Sequence, residues 1–209
     1  TRGSPTTPSA TWTSWSEAVT AVCATMRGSP VLRTGSDADP FSGIDVGSSA
    51  APAFVDWDKD GDTDLVVGAE DGKLQYYERI SDNSLMSRRT IGVNPFSGID
   101  RSYWAPVPAC VDWDQDGDTD LVVGADDGTL YYYERLSNNS LVLRTGPDAD
   151  PFSGVNVGNR ARPAFVDWDK DGDTDLVVGA DDGKLYYYER LSDNSVVLRT
   201  GSDADPFSG

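Results

Sequence analysis

The amino-acid sequence predicts an all-β chain of tandem four-stranded antiparallel blades, each about 55 residues long, with an acidic loop between the first and second strand of each. Three observations predict it. The stretch Asp56-Trp57-Asp58-Lys59-Asp60-Gly61-Asp62-Thr63-Asp64 returns almost unchanged at 112–120 and 167–175. Each copy runs straight into Leu-Val-Val-Gly-Ala, a short apolar run of the kind that makes a buried strand. An Asp-Gly turn then leads to a strand with neighbouring tyrosines, Tyr131-Tyr132-Tyr133 and Tyr186-Tyr187-Tyr188, which places bulky rings on both faces of a sheet. A sheet with two apolar faces needs cover on both, as a propeller blade receives from its neighbours.

The elements follow in order. Residues 1–30 are rich in Ser, Thr and Pro, a composition suited to a solvated arm. Within them Trp12-Thr13-Ser14-Trp15 resembles a C-mannosylation acceptor and the start of a thrombospondin type 1 module, without that module's cysteines. Aligned backward from Val31-Leu32-Arg33-Thr34, residues 18–34 read as a degenerate half-blade. Residues 31–50 are a lead-in strand and connection, followed by blades at 51–105, 106–162 and 163–209. In the first blade the strands are expected at Pro52–Trp57, Asp64–Ala69, Lys73–Ile80 and Leu85–Thr90, and Pro95-Phe96-Ser97-Gly98 carries the chain onward. Trp57, Trp113 and Trp168 recur where they can fill the layer between blades. A sugar-stacking platform is the rival role for the rings, but their identical placement in every copy favours a core.

The nonapeptide carries the chemistry. Carboxylates at its first, third, fifth and ninth places, with glycine at the sixth, suit a hard cation that takes six to eight oxygens; the seventh residue can offer its carbonyl. Five aspartates in nine residues repel one another unless a cation sits among them. One calcium ion per repeat is expected, three in the chain, in the loop between first and second strands. The side-chain candidates in the first copy are Asp56, Asp58, Asp60 and Asp64, with Asp62 acting through its main chain.

The pattern Asp-x-Asp-x-Asp-Gly-x-x-Asp followed by Leu-Val-Val-Gly-Ala resembles the FG-GAP/VCBS repeat, the calcium-binding blade of integrin alpha-subunit propellers and of many secreted repeat proteins. The resemblance implies four-stranded blades, extracellular adhesion or scaffold roles, and calcium ligands at Asp56, Asp58, Asp60, Asp62 and Asp64, then Asp112, Asp114, Asp116, Asp118 and Asp120, then Asp167, Asp169, Asp171, Asp173 and Asp175. One departure is that integrin-type propellers close with seven blades, whereas this chain has three.

Composition bounds the function. A net charge of −18 disfavours nucleic acid and anionic membranes as partners, and no apolar stretch is long enough for membrane insertion. There is no histidine, and the acidic clusters are repeated alike, whereas catalytic carboxylates sit singly in unequal environments; an enzyme is not expected. The expectation is an extracellular or cell-surface structural scaffold, self-associating head to tail into a filament or ring or flanked by neighbouring repeats of a longer chain. The alternative is an adhesin or lectin-like module with a glycan or protein ligand. Asn138, in the sequon Asn138-Asn139-Ser140, is a glycosylation candidate in a predicted turn. Cys23 and Cys110 allow one bridge, within the chain or between chains, or two free thiols. In a regular array a whole blade separates them.

Overall fold

The computed structural model describes residues 39–81, 84–90, 92–100, 105–201 and 205–207. Their regular structure is all strand. β1 (Ala51–Val55), β2 (Asp64–Gly68), β3 (Leu74–Ser81) and β4 (Ser84–Ser87) form the first sheet; β5 (Val107–Val111), β6 (Asp120–Gly124), β7 (Leu130–Arg135) and β8 (Leu141–Leu143) the second; β9 (Arg162–Val166), β10 (Asp175–Gly179), β11 (Leu185–Arg190) and β12 (Val196–Arg199) the third. Each sheet is an antiparallel meander in chain order. The arm at 1–30, its Trp-x-x-Trp, the half-blade at 18–34 and Cys23 lie outside the described residues.

Several strand ends differ from expectation. The first strand stops at Val55, before Trp57, because the chain leaves the ladder at Asp56 and the Trp57 N–H donates to Asp64 Oδ2 at 3.1 Å. The second stops at Gly68, where Ala69 enters the Asp-Gly turn, and the third runs one residue further, to Ser81, past a register shift between Arg79 and Ser81. The fourth covers Ser84–Ser87, short of Thr90.

The period of two along β2 sends Val66 to one face and Leu65 and Val67 to the other, and all are buried. The rear face of the first sheet (Val55, Trp57, Val66, Leu74, Tyr76) closes on the front face of the second (Leu121, Val123, Tyr133), with Phe96 and Ile99 of the connection between them. The same construction joins the second sheet to the third through Phe152 and Val155. Tyr132, Tyr133, Tyr187 and Tyr188 are buried, and Tyr131 and Tyr186 pack half-buried against the same clusters, so the runs of rings are core and not a platform.

Successive sheets approach most closely at their first strands, β1 beside β5 and β5 beside β9. Glycine at the end of the second strand permits this. A Cβ on Gly68 would stand 1.7 Å from the Pro106 carbonyl oxygen, and one on Gly124 would stand 2.1 Å from that of Ala161. The third tryptophan departs from expectation: Trp57 and Trp113 are 4% and 2% exposed, whereas Trp168 is 47% exposed. Each of the first two is covered by the following sheet, and among the described residues no sheet follows β9–β12.

Candidate metal centres

Each acidic loop is a local structure written in its own letters. In the first, Gly61 N–H donates to Asp56 Oδ2 at 3.1 Å, Asp60 N–H to Asp58 Oδ1 at 3.2 Å and Asp62 N–H to Asp60 Oδ1 at 2.8 Å. These bonds curl the backbone around the carboxylates, and Gly61 takes a φ of 93° that a side chain would oppose. The fourth residue is left-handed as well, at Lys59, Gln115 and Lys170, although none is glycine.

The result is three like centres. One carboxylate oxygen from each of Asp56, Asp58 and Asp60 lies within 4.8 Å of the others; Asp112, Asp114 and Asp116 repeat the arrangement, as do Asp167, Asp169 and Asp171. Desolvation, followed by the neighbouring carboxylates, holds the middle acids Asp58, Asp114 and Asp169 above the ordinary aspartate range. Asp56 Oδ1 and Asp112 Oδ1 are buried and find no hydrogen-bond partner among the described residues. Converging anionic oxygens with an orphaned buried acceptor fit a hard cation, and an all-oxygen set fits calcium better than the softer transition metals.

The seventh and ninth aspartates stand apart from these triads. Asp118, a seventh residue, has its carboxylate taken by Lys59, whose ammonium crosses from the first loop and also donates to the Gly117 carbonyl at 2.8 Å. The hydrogen bond from Lys59 holds Asp118 below the usual range. The ninth residues are buried and serve as anchors. Asp64 Oδ2 accepts from Trp57 N–H and from the Tyr76 hydroxyl at 2.6 Å, while its Oδ1 accepts from Arg79 N–H at 2.8 Å. Asp120 does the same with Trp113, Tyr132 and Arg135, and Asp175 with Trp168, Tyr187 and Arg190. Burial pushes Asp120 up to about 6 against the hydrogen bonds that favour its anion. The tyrosine hydroxyls, raised by burial beside a carboxylate, remain protonated donors.

A residue the motif does not contain completes the neighbourhood. Arg135 stacks 4.4 Å from the ring centroid of Trp57, one sheet away, and Arg190 lies at the same distance over Trp113. A strand-ending Arg after Tyr-Tyr-Glu was the available signal, but its target lies on a different unit.

The remaining candidates are placed as follows. Asn138 is exposed in the β7–β8 turn, its Oδ1 accepting from Ser140 N–H at 3.0 Å. Cys110, on β5, forms no disulfide among the described residues; it packs against the core between the first two sheets, and burial pushes its thiol up to about 12.

Residues 112–178, from the start of the second acidic loop to β10, match the FG-GAP-like repeat family. No curated protein matches the chain.

Proposed function

We propose that this chain is a calcium-stabilised, non-enzymatic structural repeat protein of the extracellular or cell-surface environment, built of propeller-type blades stacked face to face. The observation that carries the reading is the convergence of three carboxylates in each of three loops alike, two of them with an orphaned buried oxygen. The first, third and fifth aspartates would hold the ion, with the seventh residue's carbonyl as a further oxygen; the ion supplies the charge that lets these anions sit together. The ninth aspartate ties the loop to the third strand, so the order of the loop passes to the rear face on which the next blade packs. Millimolar calcium outside the cell keeps even weak sites of this kind filled. An FG-GAP-like repeat at 112–178 is in keeping with a non-catalytic, surface-exposed module, and no helix of the described residues is long and apolar enough to cross a membrane.

The test is thermal unfolding with and without chelator. A site that binds only the native state and is held at a hundred times its Kd adds about 2.7 kcal/mol. EGTA should lower Tm by many degrees, calcium should restore it, and magnesium should restore less because it demands octahedral geometry. A Tm indifferent to EGTA overturns the reading.

A further inference from the structure

Each acidic loop is shaped by its own hydrogen bonds, yet the first two are also tied to each other by one side chain. Lys59, the fourth residue of the first loop, stands between Asp58 and Asp60 in the left-handed region, with a φ of 62°. Its ammonium leaves that loop, donates to the Gly117 carbonyl at 2.8 Å and closes on Asp118 Oδ1. Gly117 and Asp118 are the sixth and seventh residues of the second loop, and their own N–H groups orient its carboxylates. Gly117 N–H donates to Asp112 Oδ2 at 3.1 Å, and Asp118 N–H to Asp116 Oδ1 at 2.7 Å. A side chain rooted between two ligand candidates of one centre therefore grips the two residues that aim two ligand candidates of the next. Water screens this grip less than it screens an ordinary surface ion pair, because the Asp118 side chain is only 16% exposed.

We propose that Lys59 couples the first two metal centres, so that calcium in either loop raises the affinity of the other, and that the second and third centres lack this link. An ion held by Asp58 and Asp60 fixes the backbone from which Lys59 springs. The flexible stem of the lysine then has less freedom left to lose in holding Gly117 and Asp118, and the second loop is ordered before its own ion arrives. Linkage makes the effect reciprocal, so an ion in the second loop favours the first by the same factor. The ammonium carries positive charge toward the second centre, but Asp118, which stands outside the carboxylate triad, neutralises it.

The chain contains its own comparison. In the second loop the fourth place is held by Gln115, left-handed like Lys59 with a φ of 60°, so the backbone is the same and the side chain brings no cation to Asp173. The second and third centres share the blade packing and the repulsion between ions that the first two have. They differ in the lysine.

Coupling presupposes that the loops hold calcium, as proposed above, and one experiment distinguishes the two. Calcium alone is titrated calorimetrically into the full chain. Asp169→Ala leaves the first two centres open, and adding Asp58→Ala or Asp114→Ala leaves one of them. The product of the two binding constants with both centres open, divided by the product of the single-centre constants, is the coupling factor. It should be about fivefold or more, the lower end of the usual range for coupled sites. Lys59→Gln, which copies the residue the second loop already accommodates, should abolish it, and the second and third centres, isolated by Asp58→Ala, should bind independently. Independent binding at the first two centres, a factor unchanged by Lys59→Gln, or an equal factor between the second and third centres overturns the coupling while leaving the calcium reading intact. No calcium heat in the unmutated chain overturns both.

Discussion

Arg190 lies over Trp113 with its guanidinium carbon 4.4 Å from the ring centroid, and its Nη2 donates to the carbonyl of that tryptophan at 2.6 Å. One side chain thereby holds the third sheet to both the ring and the backbone of the second. Its Nη2 also donates to Asn194 Oδ1 at 2.7 Å, which draws the β11–β12 turn into the same contact.

Replacing Arg190 with Met keeps the apolar stem and removes the cation and the donors. The Trp113 carbonyl and Asn194 then lose a charged partner, and the expected loss is about 2–3 kcal/mol by urea unfolding. Arg190→Lys should recover little of it, because an ammonium cannot stack flat and donate in the same plane. Full recovery with Lys would show that charge alone matters.

Asp150 and Asn94 occupy one place in two connections, and the repeat itself suggests the better residue. Asn94 accepts from Phe96 N–H at 2.9 Å and donates to the Leu74 carbonyl at 3.0 Å, whereas Asp150 is buried, accepts from Phe152 N–H at 2.9 Å, and has no proton to donate once ionised. Burial raises the Asp150 pKa above that of the unfolded chain. The folded state therefore binds this proton more tightly. The site's contribution is most favourable below the unfolded value of about 3.9 and is lost as pH rises through the raised folded value. Asp150→Asn should stabilise the protein by about 1 kcal/mol at neutral pH, with the gain shrinking on acidification. A gain that grows as pH falls would contradict the assignment.

The two roles within the acidic loop are separable. Tyr132→Phe removes the hydroxyl that donates to Asp120 Oδ2 at 2.8 Å and should cost about 1–3 kcal/mol with or without calcium, since the anchor is a contact of the protein with itself. Asp114→Ala removes a converging carboxylate and should lower stability only when calcium is present, with one fewer ion bound by isothermal titration. If both variants lose stability solely in calcium, the ninth aspartate serves the metal and not the sheet.

Gly124→Ala tests the close approach of successive sheets. The new Cβ would fall 2.1 Å from the Ala161 carbonyl oxygen and 2.7 Å from Pro163 Cδ, so the second and third sheets must part. A loss above about 3 kcal/mol is expected, beyond ordinary overpacking because the obstacle is backbone. Unchanged unfolding would place the sheets further apart than described.

What the letters alone determined depends on neighbours in sequence, and it reached the elements but not their exact ends. The twelve strands were legible from turn residues and from the period of two, and the loop triads from carboxylates at alternate places such as Asp56, Asp58 and Asp60, because a tight turn brings such residues together without help from elsewhere. The four-strand unit followed from the recurrence of these signals. What only the tertiary structure decided involves partners set by strand pairing or by the next unit. Asp64 is one of the loop's metal candidates by its letter, and only the β2–β3 pairing, which brings Tyr76 and Arg79 across the sheet to it, shows that it is also an anchor. Arg135 and Trp57 are far apart in the chain and meet only when one sheet covers another. Trp57, Trp113 and Trp168 sit in near-identical local sequence, yet the first two are buried and the third is exposed, because burial is conferred by the sheet that follows and not by the segment in which a residue stands.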